Sequence, residues 1–278
     1  MLGEHCSTLQ CYTKAWGARV LTRRNLILGS GAVIGASAVL MPAMAQAASS
    51  KIALPTDISS ERLITVTAAP TRAKLVAMTF DDGPHPVLTP QLLDILKARR
   101  IRATFYVIGR NVARYPDIVK RMVAEGHEIG NHTWRHPFLT QLGSASVLRE
   151  LDRTSEAVYK AVQRMPVTMR PPYGALSRAQ RAMILKQREM PTILWSVDPE
   201  DWRRPGAQVV ANRILGGARP GAIILSHDIH APTIKAMPVA LDGLIEAGYR
   251  FATVSMILGA RDWSKLRWRL PREARAKS

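Results

Sequence analysis

Thiols are all but missing from this chain: its two cysteines, Cys6 and Cys11, both fall within the first eleven residues. The body of the protein can therefore build neither a disulfide framework nor a thiolate metal site, and any metal there has to be held by His, Asp or Glu. Acidic residues are scarce as well. Against 39 Lys and Arg stand 21 Asp and Glu, a formal net charge of +18. Such a balance suits contact with an anionic surface, whether nucleic acid, membrane headgroups or acidic cell-wall polymer, but does not bear on fold. Internal repeats and low-complexity tracts are also absent, so the chain does not read as a repeat array or a disordered polymer. What is present is 278 residues with 47% hydrophobic content, enough for one large packed domain or two ordinary ones.

The N-terminal text "TRRNLILGSGAVIGASAVLMPAMAQAASS" joins a twin arginine, Arg23 and Arg24, to an apolar stretch from Leu26 to about Met41. Small residues then offer Ala-x-Ala sites at Ala43 to Ala45 and Ala45 to Ala47. This resembles a twin-arginine export signal over residues 1–47, and it implies a periplasmic or secreted protein. The competing reading is an uncleaved membrane anchor. Gly29, Gly31, Gly35 and several Ala make the stretch only mildly hydrophobic, which favours cleavage. Cleavage loses four basic residues and one acidic, so +15 of the +18 remains.

Residues 48–71 are Ser, Thr, Pro and scattered charge, with a possible short strand in "RLITVTA", and read as a linker or N-terminal extension. From Lys74 onward, short apolar runs alternate with amphipathic segments of helical length. Strands are expected at 74–80, 103–109, 127–132, 167–174, 191–197, 222–228 and 249–258. Helices are expected at 90–100, 115–126, 144–162, 177–188, 206–218 and 233–248. Alternation at this spacing predicts βα units around a parallel sheet or barrel, an α/β domain over 72–260 with its chemistry at the carboxyl ends of the strands. The polar motifs sit at those ends.

The first is "VAMTFDDGPHP", in which a buried run surfaces on Asp81 and Asp82. Asp-Gly-Pro is good turn chemistry, but that explains one Asp and not two. Adjacent carboxylates resist joint ionisation unless a cation offsets them. The second is "NHTWRH", whose His132 and His136, four residues apart, can face one cation from a helical turn or a tight loop. One Asp and two His supply the three protein ligands of a catalytic zinc site with a position left for water, and the other Asp is then free as a general base. "RPPYG" places Arg170 before a Pro-Pro turn, where a guanidinium near the acidic pair would hold the base ionised. "WSVDPEDW" supplies Asp198, Asp201 and Trp202, and "ILSHD" ends an apolar strand on His227. His85, His127 and His230 match no ligand position and read as loop, core or cleft-lining residues.

In this order and at strand ends, TFDDGP, HTWRH, RPPYG, DPEDW and LSH resemble the five motifs of the polysaccharide deacetylases of the NodB-homology type, carbohydrate esterase family 4. The resemblance covers about residues 72 to 258. It implies a distorted (β/α)7 barrel and a divalent metal, usually Zn2+ with Co2+, Mn2+ or Ni2+ as alternatives, in a hydrolase that removes acetyl groups from sugars. By the same resemblance Asp82, His132 and His136 are the metal ligands, Asp81 the base and His227 the acid. Asp201 orients His227, Arg170 tunes Asp81, the Tyr173 N–H belongs to the oxyanion hole, and Trp202 and Leu225 wall the acetyl pocket. The expected substrate is an N-acetylated glycan of the chitooligosaccharide, peptidoglycan or poly-N-acetylglucosamine type. An O-acetyl esterase on xylan-like glycan and a non-catalytic glycan-binding module are the alternatives.

The 261–278 tail, "RDWSKLRWRLPREARAKS", is basic with two Trp. It reads either as a solvated end or as a segment docking on an anionic envelope surface, with Trp263 and Trp268 in the headgroup region. A basic-aromatic recognition motif is lacking, so with apparent export nucleic acid is not an expected partner.

Overall fold

The computed structural model describes residues 65–260 and 262–263. The expected signal at 1–47, residues 48–64 and the tail from 264 lie outside the described residues. Among the described residues no helix is long and apolar enough to cross a membrane.

Seven strands and eight α-helices are described. The strands are β1 (Thr65–Val66), β2 (Leu75–Asp81), β3 (Thr104–Val107), β4 (Glu128–Asn131), β5 (Thr192–Ile193), β6 (Ile223–Ile224) and β7 (Arg250–Phe251). The helices are α1 (Leu88–Ala98), α2 (Gly109–Arg114), α3 (Pro116–Ala124), α4 (Ser144–Val162), α5 (Arg178–Arg188), α6 (Ala207–Gly217), α7 (Ala231–Glu246) and α8 (Val254–Ile257).

All strand pairings are parallel, in the order β4-β3-β2-β6, with β7 also on β2. The ring closes through single bridges, Asn131 to Met169, Met169 to Thr192 and Val197 to Ile224. The result is a distorted α/β barrel whose strands converge on one mouth at their carboxyl ends. The central strand β2 is buried from Val76 to Asp81, as a continuous apolar run in a parallel sheet requires. Helices pack outside it along stripes of three- and four-residue spacing, such as Val147, Leu151 and Val158 on α4. The α5 start carries the capping box that its sequence signals, with Ser177 and Gln180 each bonding the other's backbone.

Beyond the shortening of the 191–197 and 222–228 strands to β5 and β6 and the unexpected α2 after β3, four local readings gain detail or change. Within the 48–71 extension the strand expected in "RLITVTA" is present as β1, which pairs with β5, and Ala68 bridges Ala222, so the folded domain begins before residue 72. The 167–174 segment contributes only the Met169 bridges to the sheet. Prolines 171 and 172 lack donors, and the Arg170 side chain occupies the Ile193 and Leu194 carbonyls at 3.2 and 3.1 Å. The 249–258 strand stops at Phe251 and turns into α8, since Thr253 caps the Met256 N–H and buried Glu128 accepts from Ser255 N and Oγ at 2.8 and 2.7 Å. Finally, Trp263 is 5% exposed and packs in the main core, with Arg164 over its ring, so this tryptophan is not available to a headgroup region.

Candidate active site

Strand alternation puts Thr79 and Asp81 on one face of β2. The Arg170 guanidinium, wholly buried, reaches both: Nη1 donates to Thr79 Oγ1 and to Asp81 Oδ1 at 2.7 Å each. Its remaining face is packed over Tyr106, 4.2 Å from the ring centroid. A buried ion pair of this kind is affordable only where the spare donors are used, and here Nε and Nη2 go to backbone carbonyls.

The chain turns immediately after Asp81. Asp82 sits at φ 77, in the left-handed region that costs a non-glycine residue about 1–3 kcal/mol and persists only where neighbours hold it. The holds are visible. Its N–H donates to the Tyr106 carbonyl at 3.2 Å, and its own carbonyl accepts from Asn111 Nδ2 at 2.9 Å. Thr133, His136 and Tyr173 share that backbone region at φ 69, 63 and 60, so the strain clusters where the motifs meet.

His132 and His136 lie on a loop after β4, not on a helix. Asn131 Oδ1 accepts the Thr133 N–H at 2.9 Å, and Thr133 Oγ1 accepts the His136 N–H at 3.0 Å. Glu150, from α4, accepts the Trp134 and Arg135 N–H groups at 3.0 and 2.8 Å. The two imidazoles are thereby brought to 4.9 Å between centroids.

The donor set fits a cation. His132 Nδ1 lies 2.7 Å from the Arg170 carbonyl, which can only accept, so Nδ1 carries a proton and a neutral ring turns its Nε2 lone pair inward. That Nε2 is 3.4 Å from Asp82 Oδ1, and His136 Nε2 is 3.3 Å from the same oxygen. Asp82 Oδ1 is buried and has no hydrogen-bond partner. Converging acceptors around an orphaned carboxylate oxygen are what a metal ion satisfies, and Asp82, His132 and His136 form the one cluster of metal-ligand geometry among the described residues.

The local field has the same sense. Burial opposes charge on Asp82, yet the charges of His132, His136 and His227 hold its carboxyl well below the usual range. Burial likewise works against a charged His132, but Asp81 and Asp82 outweigh it and raise its pKa. His136 is lowered, first by burial and then by the charge of His132. The pocket thus favours positive charge among these three side chains.

His227 is brought to the site by its bridge to Asp81. Asp201 Oδ1 pairs with its Nδ1 at 2.8 Å, while Oδ2 accepts the His227 N–H and the Thr233 hydroxyl at 2.8 and 2.7 Å. Burial pulls this imidazole down, but the Asp201 hydrogen bond and charge dominate and push it up to about 9. It is therefore an acid at neutral pH. Asp81 N donates to the Ser226 carbonyl at 2.9 Å, which ties the two strand ends together.

The expected wall residues differ among themselves. Leu225 is buried, whereas Trp202 and the Tyr173 ring stand exposed. Tyr173 stacks on exposed Phe138 at 3.9 Å and meets His136 edge-on at 4.6 Å. Asp198 turns away, accepting the Glu200 N–H at 2.8 Å. His85 caps α1, His127 is buried, and His230 lies 5.9 Å from His227 between ring centroids.

Sequence reasoning missed Glu150, Asn111, Thr89 and Asp228. Asp228 is wholly buried; burial pushes its carboxyl up to about 7 even though Thr89 hydrogen-bonds it, and the charge of Asp82 adds to the rise. Only its place after His227 in "LSHD" could have drawn attention to it.

Residues 68–191 match the family model described as polysaccharide deacetylase. The chain is 41% identical over 188 residues to the peptidoglycan-N-acetylglucosamine deacetylase PgdA of Listeria monocytogenes, a match to 68% of this chain and 40% of that protein. It therefore spans less than half the length of that relative. To the chitooligosaccharide deacetylase of Bradyrhizobium sp. (strain ANU 289) it is 46% identical over 158 residues, 56% of this chain and 72% of the relative. The crystal structure of the Bc1960 peptidoglycan N-acetylglucosamine deacetylase superposes with a TM-score of 0.69 at 33% identity, covering 73% of this chain and 96% of that one. A relative and a solved structure matched at this identity over most of their own lengths settle membership: the chain belongs to the polysaccharide deacetylase family of NodB homology, carbohydrate esterase family 4.

Proposed function

We propose that this protein is a metal-dependent hydrolase that removes acetyl groups from N-acetylglucosamine-type residues of a glycan. One observation carries the reading: an orphaned, buried Asp82 oxygen between two imidazoles, with Asp81 next to it in the chain and His227 bridged to Asp81. Relatives named for peptidoglycan and chitooligosaccharide deacetylation favour the amide substrate over an acetyl ester.

Asp82, His132 and His136 would hold the ion, and their mixed N and O donors suit zinc, with cobalt, manganese or nickel also compatible. Bound there, it supplies Lewis-acid polarisation of the acetyl carbonyl and a lowered pKa for water. Asp81, held in place by Arg170, takes a proton from the attacking water. Protonated His227, oriented by Asp201, gives its proton to the amide nitrogen as the C–N bond breaks, so acetate and a free amine leave. The Tyr173 N–H would stabilise the oxyanion, and Trp202 and Leu225 would bound the acetyl methyl. A non-catalytic glycan binder would need neither the base nor the acid.

Export by the twin-arginine segment would place this chemistry at the cell envelope, where acetylated glycan is found. The test of function is acetate release by the purified, metal-loaded chain from chitooligosaccharide, peptidoglycan, poly-N-acetylglucosamine and acetylated xylan, beside Asp81→Asn and a chelated control. Release from the first three that vanishes in both controls supports the proposal. Release from xylan alone, or none with metal bound, overturns it in favour of the esterase or the binder.

A further inference from the structure

The mechanism leaves the buried carboxylate of Asp228 without a task. Asp228 lies directly under the Asp82-Gly83-Pro84 turn, so close that a Cβ at Gly83 would fall 2.3 Å from its Oδ2 and 2.5 Å from its Oδ1. Its Oδ2 accepts from the Thr89 hydroxyl, and its Oδ1 is buried without a hydrogen-bond partner. Thr89 Oγ1 in turn accepts the His85 N–H at 2.7 Å. The Asp228 side chain thus grips the turn twice, by packing against Gly83 and through Thr89 at His85. The turn's other ties, the Ile108 N–H to the Gly83 carbonyl at 3.0 Å and Asn111 to the Asp82 carbonyl at 2.9 Å, come from α2 and the residue before it.

Asp228 is also the next residue after His227, whose backbone and ring are both fixed by Asp201. One residue therefore links the carboxylate that would hold the metal to the imidazole that would deliver the proton. Asp82 sits in a backbone region it would not keep unaided. We propose that Asp228, acting through Thr89, is a positioning residue that holds the 82–85 turn so that Asp82 meets His132 and His136 at ligand distance. The inference rests on the metal-site reading above.

Zinc affinity of the purified full chain, measured by competition with a chromophoric chelator, tests this without reference to turnover. Asp228→Ala and Thr89→Val should each weaken zinc binding by about 10–100-fold, the usual effect of losing a residue that orients a ligand. Asp228→Asn and Thr89→Ser keep the shape and the hydrogen bond, and they should bind within about threefold of the parent chain. Should Asp228→Ala fail to fold, Thr89→Val carries the same comparison. Undiminished zinc binding by the folded Ala or Val variant overturns the role, as does Asp228→Asn binding as weakly as Asp228→Ala. A parent chain that binds no zinc overturns the metal-site reading itself, which keeps the two failures distinct.

Discussion

Arg170 reaches across the barrel to Asp81, 89 positions earlier in the chain, at 2.7 Å, with neither side chain more than 4% exposed. Removing one partner of such a pair strands the other charge in the interior, at a typical cost of 3–5 kcal/mol. Arg170→Met should therefore lower stability by about that amount and abolish activity. Arg170→Lys keeps the charge but not the five-donor fork that also serves Thr79, Ile193 and Leu194. It should recover part of the stability in denaturant titration and little of the kcat. Equal stability of all three proteins would mean that the pair does not organise the barrel mouth.

The second expectation concerns pH. His227 is raised to about 9 by Asp201, so it is protonated at neutrality, and kcat/KM should fall on the alkaline side as that proton is lost. Asp201→Asn removes the charge, and the alkaline limb should move to lower pH. The stability linkage has a matching sign. A histidine whose folded pKa exceeds its unfolded value contributes stability that is fully present below pH about 6.5 and lost as pH rises through about 9. Melting temperature followed from pH 6 to 10 should show that loss in the parent chain and not in Asp201→Asn. His227→Ala should cost about 10²–10⁴ in kcat, the range for losing a general acid.

Most strand ends, the longer helices and the polar side chains that meet at the barrel mouth were legible because each has a local signature. Apolar runs ending on Asp81, Asp82 and His227 mark strand termini, and the spacing of Val147, Leu151 and Val158 marks the buried face of α4. What was not legible depends on partners far along the chain. The stretch 249–258 looks like a strand until Glu128, 127 residues away, takes the Ser255 N–H and hydroxyl and α8 forms. The sheet contribution of 167–174 shrinks to Met169 because the Arg170 fork occupies carbonyls of the neighbouring strand. Trp263 reads as an exposed tail residue, and only the packed core shows it buried. Likewise four-residue spacing permits either a helix or a loop for His132 and His136; Glu150 and Asn131 decide for the loop.

Metal removal gives a third expectation. A ligand that binds the folded state alone stabilises it by about 2.7 kcal/mol at one hundred times its Kd. Zinc should therefore raise the melting temperature of the parent chain, and a chelator should reverse the rise. Asp82→Asn, His132→Gln and His136→Gln each remove one donor and should lose most of this shift. Asp81→Asn should keep it, since Asp81 lies 3.8 Å from His132 Nε2 and is committed to Arg170. Equal loss in all four variants would contradict the division of the acidic pair into ligand and base.

Glu150 provides the last. It touches no reacting atom, yet its Oε2 accepts two successive N–H groups, from Trp134 and Arg135, in the middle of the segment that carries both histidines, and its Oε1 pairs with Arg135 Nε at 3.1 Å. With that carboxylate gone, the N–H groups of half-buried Trp134 and exposed Arg135 lose their acceptor, which costs less than the penalty for fully buried groups because water can reach them. The loop can recover part of that by opening to water, but only by giving up the φ of 63 at His136 and with it the approach of the two imidazoles. Glu150→Ala should accordingly lose more zinc affinity than stability would explain, whereas Glu150→Gln, which keeps one acceptor oxygen for the backbone pair, should fall between it and the parent chain. Chelator competition run beside thermal melts separates the two effects: a fall in melting temperature with unchanged zinc affinity would show that Glu150 supports the fold and not the placement of His132 and His136.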